Sequence, residues 1–281
     1  MRSFVALTKP RIIELLLITT VPAMVLAAGG WPGWWPVVAT LVGGSLSAGG
    51  ANALNNWFDR DIDEVMRRTR KRPLPDQQVS PEAALVFGSA LGVAGFAWLW
   101  VFTTPLAAVI STLALLFYVF VYTMGLKRRT VQNIVIGGAA GAAPALVGWA
   151  AVRGDLSLGA WILFAVVFYW TPPHFWALAI RYEDDYAAAG VPMLPVVKGA
   201  DATTRSMLLY SGTMVLISLM LVPVAEMGWI YLITAIGAGG WFLWETIRVR
   251  LDQARAMKLF TVSTVYLSVL FASVVVDVLV R

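Results

Sequence analysis

The chain has no cysteine, and His174 is its single histidine in 281 residues. The first absence excludes disulfide frameworks, thiolate nucleophiles and Cys-ligated clusters. The second excludes a multi-histidine metal centre. Charge is scarce too: Asp, Glu, Lys and Arg make up 13% of the residues, where a soluble domain usually carries about a quarter. What abounds is apolar. Hydrophobic residues make up 59% of the chain, and the mean hydropathy is +0.75. Repeated apolar runs of about twenty residues read as membrane-spanning helices, which satisfy their own backbone hydrogen bonds where lipid cannot. In a soluble protein the net charge of +5 would suggest nucleic acid. In a chain this apolar, basic residues mark cytoplasmic loops instead, so no nucleic-acid partner is expected.

The expected fold is an all-α membrane protein of nine transmembrane helices around a central cavity, with the N-terminus cytoplasmic. The spans fall at roughly 12–28, 36–57, 82–102, 105–124, 131–151, 158–180, 206–225, 228–247 and 260–279. Gly29, Gly30, Pro32 and Gly33 separate the first two. With the N-terminus inside, 19 of the 21 Lys and Arg residues lie on the cytoplasmic side, and only Arg153 and Arg281 fall elsewhere. Lys9 and Arg11 edge the first apolar run, and no small-residue cleavage site follows it, so that run reads as a retained helix. The whole chain, 1–281, reads as one domain, with cytoplasmic active-site loops at 58–81 and 181–205. No clear repeat is present. A prokaryotic plasma membrane is the expected location.

Span two ends in Asn52-Ala-Leu-Asn-Asn-Trp-Phe-Asp-Arg-Asp-Ile-Asp63. Asn55, Asp59 and Asp63 are spaced by four, which places them on one helix face, in a column about 12 Å long at 1.5 Å per residue. Carboxylate and carboxamide oxygens are hard ligands that suit Mg²⁺, which takes one or two carboxylates and completes its shell with water and phosphate oxygens. A basic run, Arg67 to Arg72, follows directly and suits a diphosphate held between metal and guanidinium forks. The competing reading is a solvated loop of surface ion pairs. It is disfavoured because Asn55 lies at membrane depth, where polar groups are costly unless used. Asp61 and Glu64 lie off the column's face.

Asn55-x-x-x-Asp59-x-x-x-Asp63, followed by Met66-x-Arg68-Thr69-x-x-Arg72-Pro73, resembles the first aspartate-rich motif of the UbiA-type intramembrane prenyltransferases. More narrowly, it resembles the heme-directed, protoheme IX farnesyltransferase (heme O synthase) branch. Span six ends in Trp170-Thr-Pro-Pro-His174-Phe-Trp and continues to Glu183-Asp184-Asp185-Tyr186. The two prolines are expected to interrupt or kink the helix, with His174 just beyond. A second acidic group on the same side suits a second metal ion, with ligands among Glu183, Asp184 and Asp185. The superfamily's spaced second motif is not reproduced, since Ala189 stands four residues after Asp185. The heme-directed branch is similar instead in Pro172 to Trp176, in Asp185-Tyr186, and in Gly190 to Pro195. Lys198 follows as a candidate diphosphate contact.

His174 admits three readings: a packed and hydrogen-bonded side chain, a wall or proton handler of the acceptor pocket, or a heme-iron ligand. Lys127 and Arg128 either contact diphosphate or mark the cytoplasmic side. Gly137, Gly138 and Gly141 read as close-packing positions. Glu14 faces either the cavity or the interface, and most of the thirteen tryptophans read as an interfacial belt.

The site expected from these residues has Asn55, Asp59, Asp63 and His174 in the catalytic role. Arg68, Arg72, Lys127, Arg128 and Lys198 would bind diphosphate, and Asn55, Asp59, Asp63, Asp184 and Asp185 would bind Mg²⁺. The resemblance implies farnesyl diphosphate as donor and heme B as acceptor: the farnesyl cation adds to a vinyl group, and water completes the heme O substituent. The lipid bilayer is the solvent, and heme-pathway membrane enzymes are candidate partners. Two other functions compete. One is a prenyltransferase acting on a quinone or chlorin precursor, against which Pro-Pro-His-Phe-Trp argues. The other is a transporter with coupling acids, which would not need a basic diphosphate site.

Overall fold

A computed structural model describes the backbone of residues 1–281 and the side chains of all but residues 11–17. Glu14 and Arg11 therefore lie outside the described side chains. The described residues form helices and no strand. A short α1 (Arg2–Leu7) precedes α2 (Pro10–Ala28), α3 (Trp34–Phe58) and a short α4 (Arg60–Val65). Next come α5 (Pro81–Phe102), α6 (Pro105–Leu116), which continues as a wider π-helical stretch over Phe117–Leu126, and α7 (Asn133–Arg153). The chain ends with α8 (Leu158–Arg181), a short α9 (Glu183–Ala188), α10 (Leu194–Val224), α11 (Trp229–Leu251) and α12 (Ala256–Val280). Among the described residues, eight helices are long and apolar enough to cross a membrane. The first expected span falls on α2, whose described apolar part is Ile18–Ala28.

Local signals set the helix ends. Ser80 accepts a hydrogen bond from the Ala83 amide at 3.2 Å, and Pro81 opens α5. Thr104 does the same for Ala107 and also donates to the Ala150 carbonyl at 2.8 Å, which ties α6 to α7. Gly29 and Gly154 end α2 and α7 at φ 63° and 70°.

Two departures from expectation concern proline and glycine. Helix α8 runs without a break through Pro172 and Pro173, so His174 lies inside it and not beyond an interruption. The prolines remove two backbone donors, but the surrounding helices hold the turn, as membrane helices allow. The break comes elsewhere, in α10, where Gly199 takes φ 74° and ψ 169°. A short segment, 194–198, precedes that kink, and the helix of the seventh span begins after it, a few residues before 206. A side chain on Gly137 or Gly138 would press on Tyr122 or Thr171, whereas Gly141 faces open space and is not a packing position.

The helices close a ring in which α2 packs on α7 and α12, α8 on α7, α10 and α12, and α11 on α10 and α12. Helices α3 and α6 pack on α7 and on each other, and α5 packs on α3 and α6. The α3–α5 seam is built on small residues. A Cβ on Gly50 would lie 2.7 Å from the Gly88 carbonyl oxygen, and one on Gly95 would lie 2.8 Å from the Ser47 nitrogen. At the opposite end of the bundle from Asp59, buried Asp277 of α12 accepts from the amides of Gly228 (2.7 Å) and Tyr231 (3.1 Å) and pairs with Arg281 at 3.1 Å. It therefore caps α11 from a neighbouring helix. Asp277→Ala is expected to cost about 2 kcal/mol, seen as a lower midpoint in thermal unfolding in detergent. An unchanged midpoint would show that the cap is not needed.

Candidate active site

The motif at the end of α3 folds as the spacing predicts. Asp59 ends α3 and opens α4, and the amides of Asp59 and Asp63 each bond to the carbonyl four residues back at 2.9 Å. The four-residue register thus survives the junction. Asn55, Asp59 and Asp63 are 3%, 0% and 2% exposed, so these polar groups sit inside protein and not on a solvated loop. The Asn55 carboxamide donates to Asp59 Oδ2 at 2.7 Å and to Thr123 Oγ1 at 3.1 Å.

Basic residues come to this row from three segments. The turn after α4 brings Arg72 back to Asp63, where one guanidinium nitrogen donates to both carboxylate oxygens at 2.9 and 2.7 Å. Thr69 fixes that turn by donating to the Asp63 carbonyl at 3.0 Å. From the end of α6, Lys127 reaches Asp59 at 2.5 Å and Arg128 reaches it at 3.5 Å. Arg128 also grips Asp61 with two bonds of 2.6 and 2.7 Å, and this holds the Asp61 carboxyl below its usual range. The π-helical stretch produces this reach. Thr123 donates to the Tyr118 carbonyl and the Lys127 amide to the Tyr122 carbonyl, each five residues back. The wider turn brings Thr123 and Lys127 onto the face that meets Asn55 and Asp59.

The third contributor is Lys9, which the sequence analysis read only as a topology marker. Its ammonium donates to Asn55 Oδ1 at 2.8 Å. Lys9 sits at φ 51° and ψ 65°, a left-handed conformation that costs a non-glycine residue energy. Asn52 and Asn56 hold this turn by donating to the carbonyls of Thr8 and Leu7 at 3.0 Å each. The side chain is half-buried with its ammonium end enclosed. Burial, then repulsion from Arg72 and Lys127, pushes it down to about 7. The signal that could have found Lys9 is the pair Asn52 and Asn56 on the same helix, which needs partners at membrane depth.

Other expected residues lie in a second group. Asp185 is buried, with Arg67 3.8 Å away. Arg68 donates to the Tyr186 hydroxyl at 3.2 Å and stacks over Tyr182 at 5.5 Å. Asp184 is exposed, and so is Lys198, beside the Gly199 kink. Among the described residues, no three of His, Asp and Glu come together as a ligand set, so Glu183, Asp184 and Asp185 do not form one by themselves. His174 is placed differently again. Its Nδ1 lies 2.6 Å from Ser263 Oγ, and its ring stacks between Trp170 at 4.2 Å and Phe260 at 4.3 Å. Trp170, buried and donating to the Ser263 carbonyl at 2.7 Å, is no belt residue.

Lys9, Arg72, Lys127 and Arg128 thus gather along one row of acids, and the donors they have left over suit a multivalent anion. Asp59 Oδ1 is buried without a hydrogen-bond partner. That free carboxylate oxygen, with Asp63 and the Asn55 carboxamide in the same row, fits a divalent cation that draws its remaining ligands from phosphate.

The model of the UbiA prenyltransferase family matches residues 16–275. Among curated relatives, the protoheme IX farnesyltransferase of Clavibacter sepedonicus is 54% identical over 98% of this chain and 92% of its own length. That of Frankia alni is 52% identical over 99% and 98%. Among solved structures, a digeranylgeranylglyceryl phosphate synthase superposes with a TM-score of 0.82 at 17% identity, covering 100% of this chain and 99% of that one. A UbiA homologue from Aeropyrum pernix K1 gives 0.78 at 22% identity over 96% and 98%. One from Archaeoglobus fulgidus, bound to DMAPP and Mg²⁺, gives 0.70 at 14% identity over 97% and 99%.

Proposed function

Since the chain belongs to the UbiA prenyltransferase family, we propose that it transfers a farnesyl group from farnesyl diphosphate to a vinyl group of heme B, giving heme O. Relatives more than 50% identical over nearly their whole length carry the name protoheme IX farnesyltransferase. The observation that carries the reading is the buried Asn55, Asp59 and Asp63 row faced by Lys9, Arg72, Lys127 and Arg128.

The donor's C–O bond breaks and its electron pair leaves with the diphosphate. Arg72 and Lys127 supply fixed positive charge where negative charge accumulates, and Lys9 supplies a hydrogen-bond donor beside them. Asn55, Asp59 and Asp63 would hold magnesium, which would supply further neutralisation of the leaving group. We assign Arg68, Arg128 and Lys198 to the same anion, and Asp185, with Asp184, to a second cation site. The farnesyl cation adds to the terminal vinyl carbon. Water then takes the resulting cation at the carbon next to the ring and loses a proton, which leaves a hydroxyethylfarnesyl group. Apolar, aromatic walls keep water from the first cation.

The reading has nine spans around a cavity in a bacterial plasma membrane, with the N-terminus and the loops 58–81 and 181–205 cytoplasmic. The distribution of basic residues supports that orientation. We place His174 on the acceptor side, where its bond to Ser263 and its stack between Trp170 and Phe260 would position those two aromatic side chains as a wall of the acceptor pocket. His174→Ala is expected to raise KM for heme B about tenfold, the effect of one lost hydrogen bond and stack, and to leave KM for farnesyl diphosphate unchanged. Equal loss toward both substrates would return His174 to a packing role.

The direct test is mass spectrometry of the purified protein incubated with heme B, farnesyl diphosphate and Mg²⁺, with an EDTA control. A Mg²⁺-dependent product carrying one farnesyl group plus water is expected. Prenylation of an aromatic acceptor with heme untouched would sink the acceptor assignment and keep the family chemistry.

A further inference from the structure

The end of the bundle that carries Asp59 also carries the turn between α11 and α12. The Arg67–Asp185 pair puts the ends of α4 and α8 together. Helix α10 leaves from that end and α11 returns to it. There, Glu245 of α11 is 2% exposed and is surrounded by three cations: Arg255 at 3.1 Å, Lys258 at 3.2 Å and Arg248 at 3.5 Å.

One cation would neutralise a buried carboxylate, so two positive charges remain in surplus. The Arg255 Nε–H is buried without an acceptor. The side chains of Arg248 and Lys258 are 39% and 53% exposed, which leaves their remaining donors open to an incoming group. The cluster also shares a helix with the acceptor side, on the face of α12 that meets α11. Phe260 and Ser263, which hold His174, follow Lys258 on α12, and Ser263 lies about 7–8 Å further along the axis.

We propose that Arg248, Arg255 and Lys258 bind the carboxylates of the acceptor, with Glu245 holding the three cations in place until a propionate shares them. The proposal rests on heme B as acceptor, whose two propionates lie on one edge of a flat ring. Charge-assisted bonds of this kind fix orientation as well as affinity, so the cluster would decide which edge of the tetrapyrrole faces the farnesyl cation. A lipid phosphate offers similar oxyanion chemistry and is the source to be separated.

The experiment is an absorbance titration of the protein in phosphatidylcholine nanodiscs with heme B and with its dimethyl ester, without farnesyl diphosphate. Wild type is expected to bind the diacid at least about tenfold tighter than the diester. In R248Q/K258Q, where Arg255 still pairs with Glu245, that preference should fall to about one. Glu245→Gln, which frees the cations, should tighten the diacid alone. Equal wild-type affinities, or a double variant weakened toward both forms alike, would overturn the proposal and leave a hairpin clip. So would an unchanged preference in the double variant, and if that variant also lost stabilisation by phosphatidylglycerol discs the cluster would be a lipid site. If wild type binds neither form yet prenylates another acceptor, the heme assignment itself has failed.

Discussion

Asp63→Ala is expected to lower farnesyl transfer by about 10³-fold, the scale on which removing a charge-stabilising group acts, in a protein that still folds. Asp63 is buried, and both its oxygens are held by Arg72. That fixes the carboxylate in one geometry, as a metal ligand must be fixed before substrate arrives. The Arg72 side chain is 27% exposed, so the guanidinium left behind can still find water. Asp59 offers a less clean test. It is fully buried, and its loss strands Lys127, whose side chain is only 17% exposed; an unpaired buried charge costs several kcal/mol. Turnover by mass spectrometry and a thermal midpoint in the same preparation separate chemistry from folding. An Asp63→Ala enzyme that kept a tenth of its turnover at saturating Mg²⁺ would remove Asp63 from the metal row.

Alanine at Gly50 and at Gly44 is expected to act with opposite signs, although both lie in α3. Glycine costs a helix interior about 1 kcal/mol relative to alanine, so Gly44→Ala, which meets open space, should stabilise by up to that amount. At Gly50 the new methyl would sit 2.7 Å from the Gly88 oxygen and 2.8 Å from the Gly92 nitrogen. Those are backbone atoms of α5 and cannot turn aside as a side chain would. The helices must part, and overpacking of this kind costs about 1–3 kcal/mol, enough to outweigh the gain in propensity. Activity should fall with stability at Gly50, because α3 also carries Asn55 and Asp59. Denaturation midpoints of the two variants measured side by side decide the matter. A stabilised Gly50→Ala would show that the α3–α5 seam is looser than its geometry.

By itself, the sequence determined the membrane architecture, because lipid leaves each span little choice. A run of apolar residues must be helical to satisfy its backbone, and its length must match the bilayer. The four-residue spacing of Asn55, Asp59 and Asp63 likewise needed only the helical repeat to become a column, and the basic run after it announced an anion. Tertiary structure decided which cation meets which acid. Lys9 reaches Asn55 across 46 residues and Lys127 reaches Asp59 across 68, and no local pattern encodes contacts at that distance. The π-helical turn that aims Lys127, and the left-handed backbone that aims Lys9, are strained choices paid for by packing around them. The same holds for the proline pair. Local chemistry says that Pro172 and Pro173 break a helix, yet neighbouring helices keep α8 continuous. The gathering of Arg248, Arg255 and Lys258 on Glu245 depended in turn on a tight hairpin that brings two helix ends together. In the sequence those cations had only marked a side of the membrane.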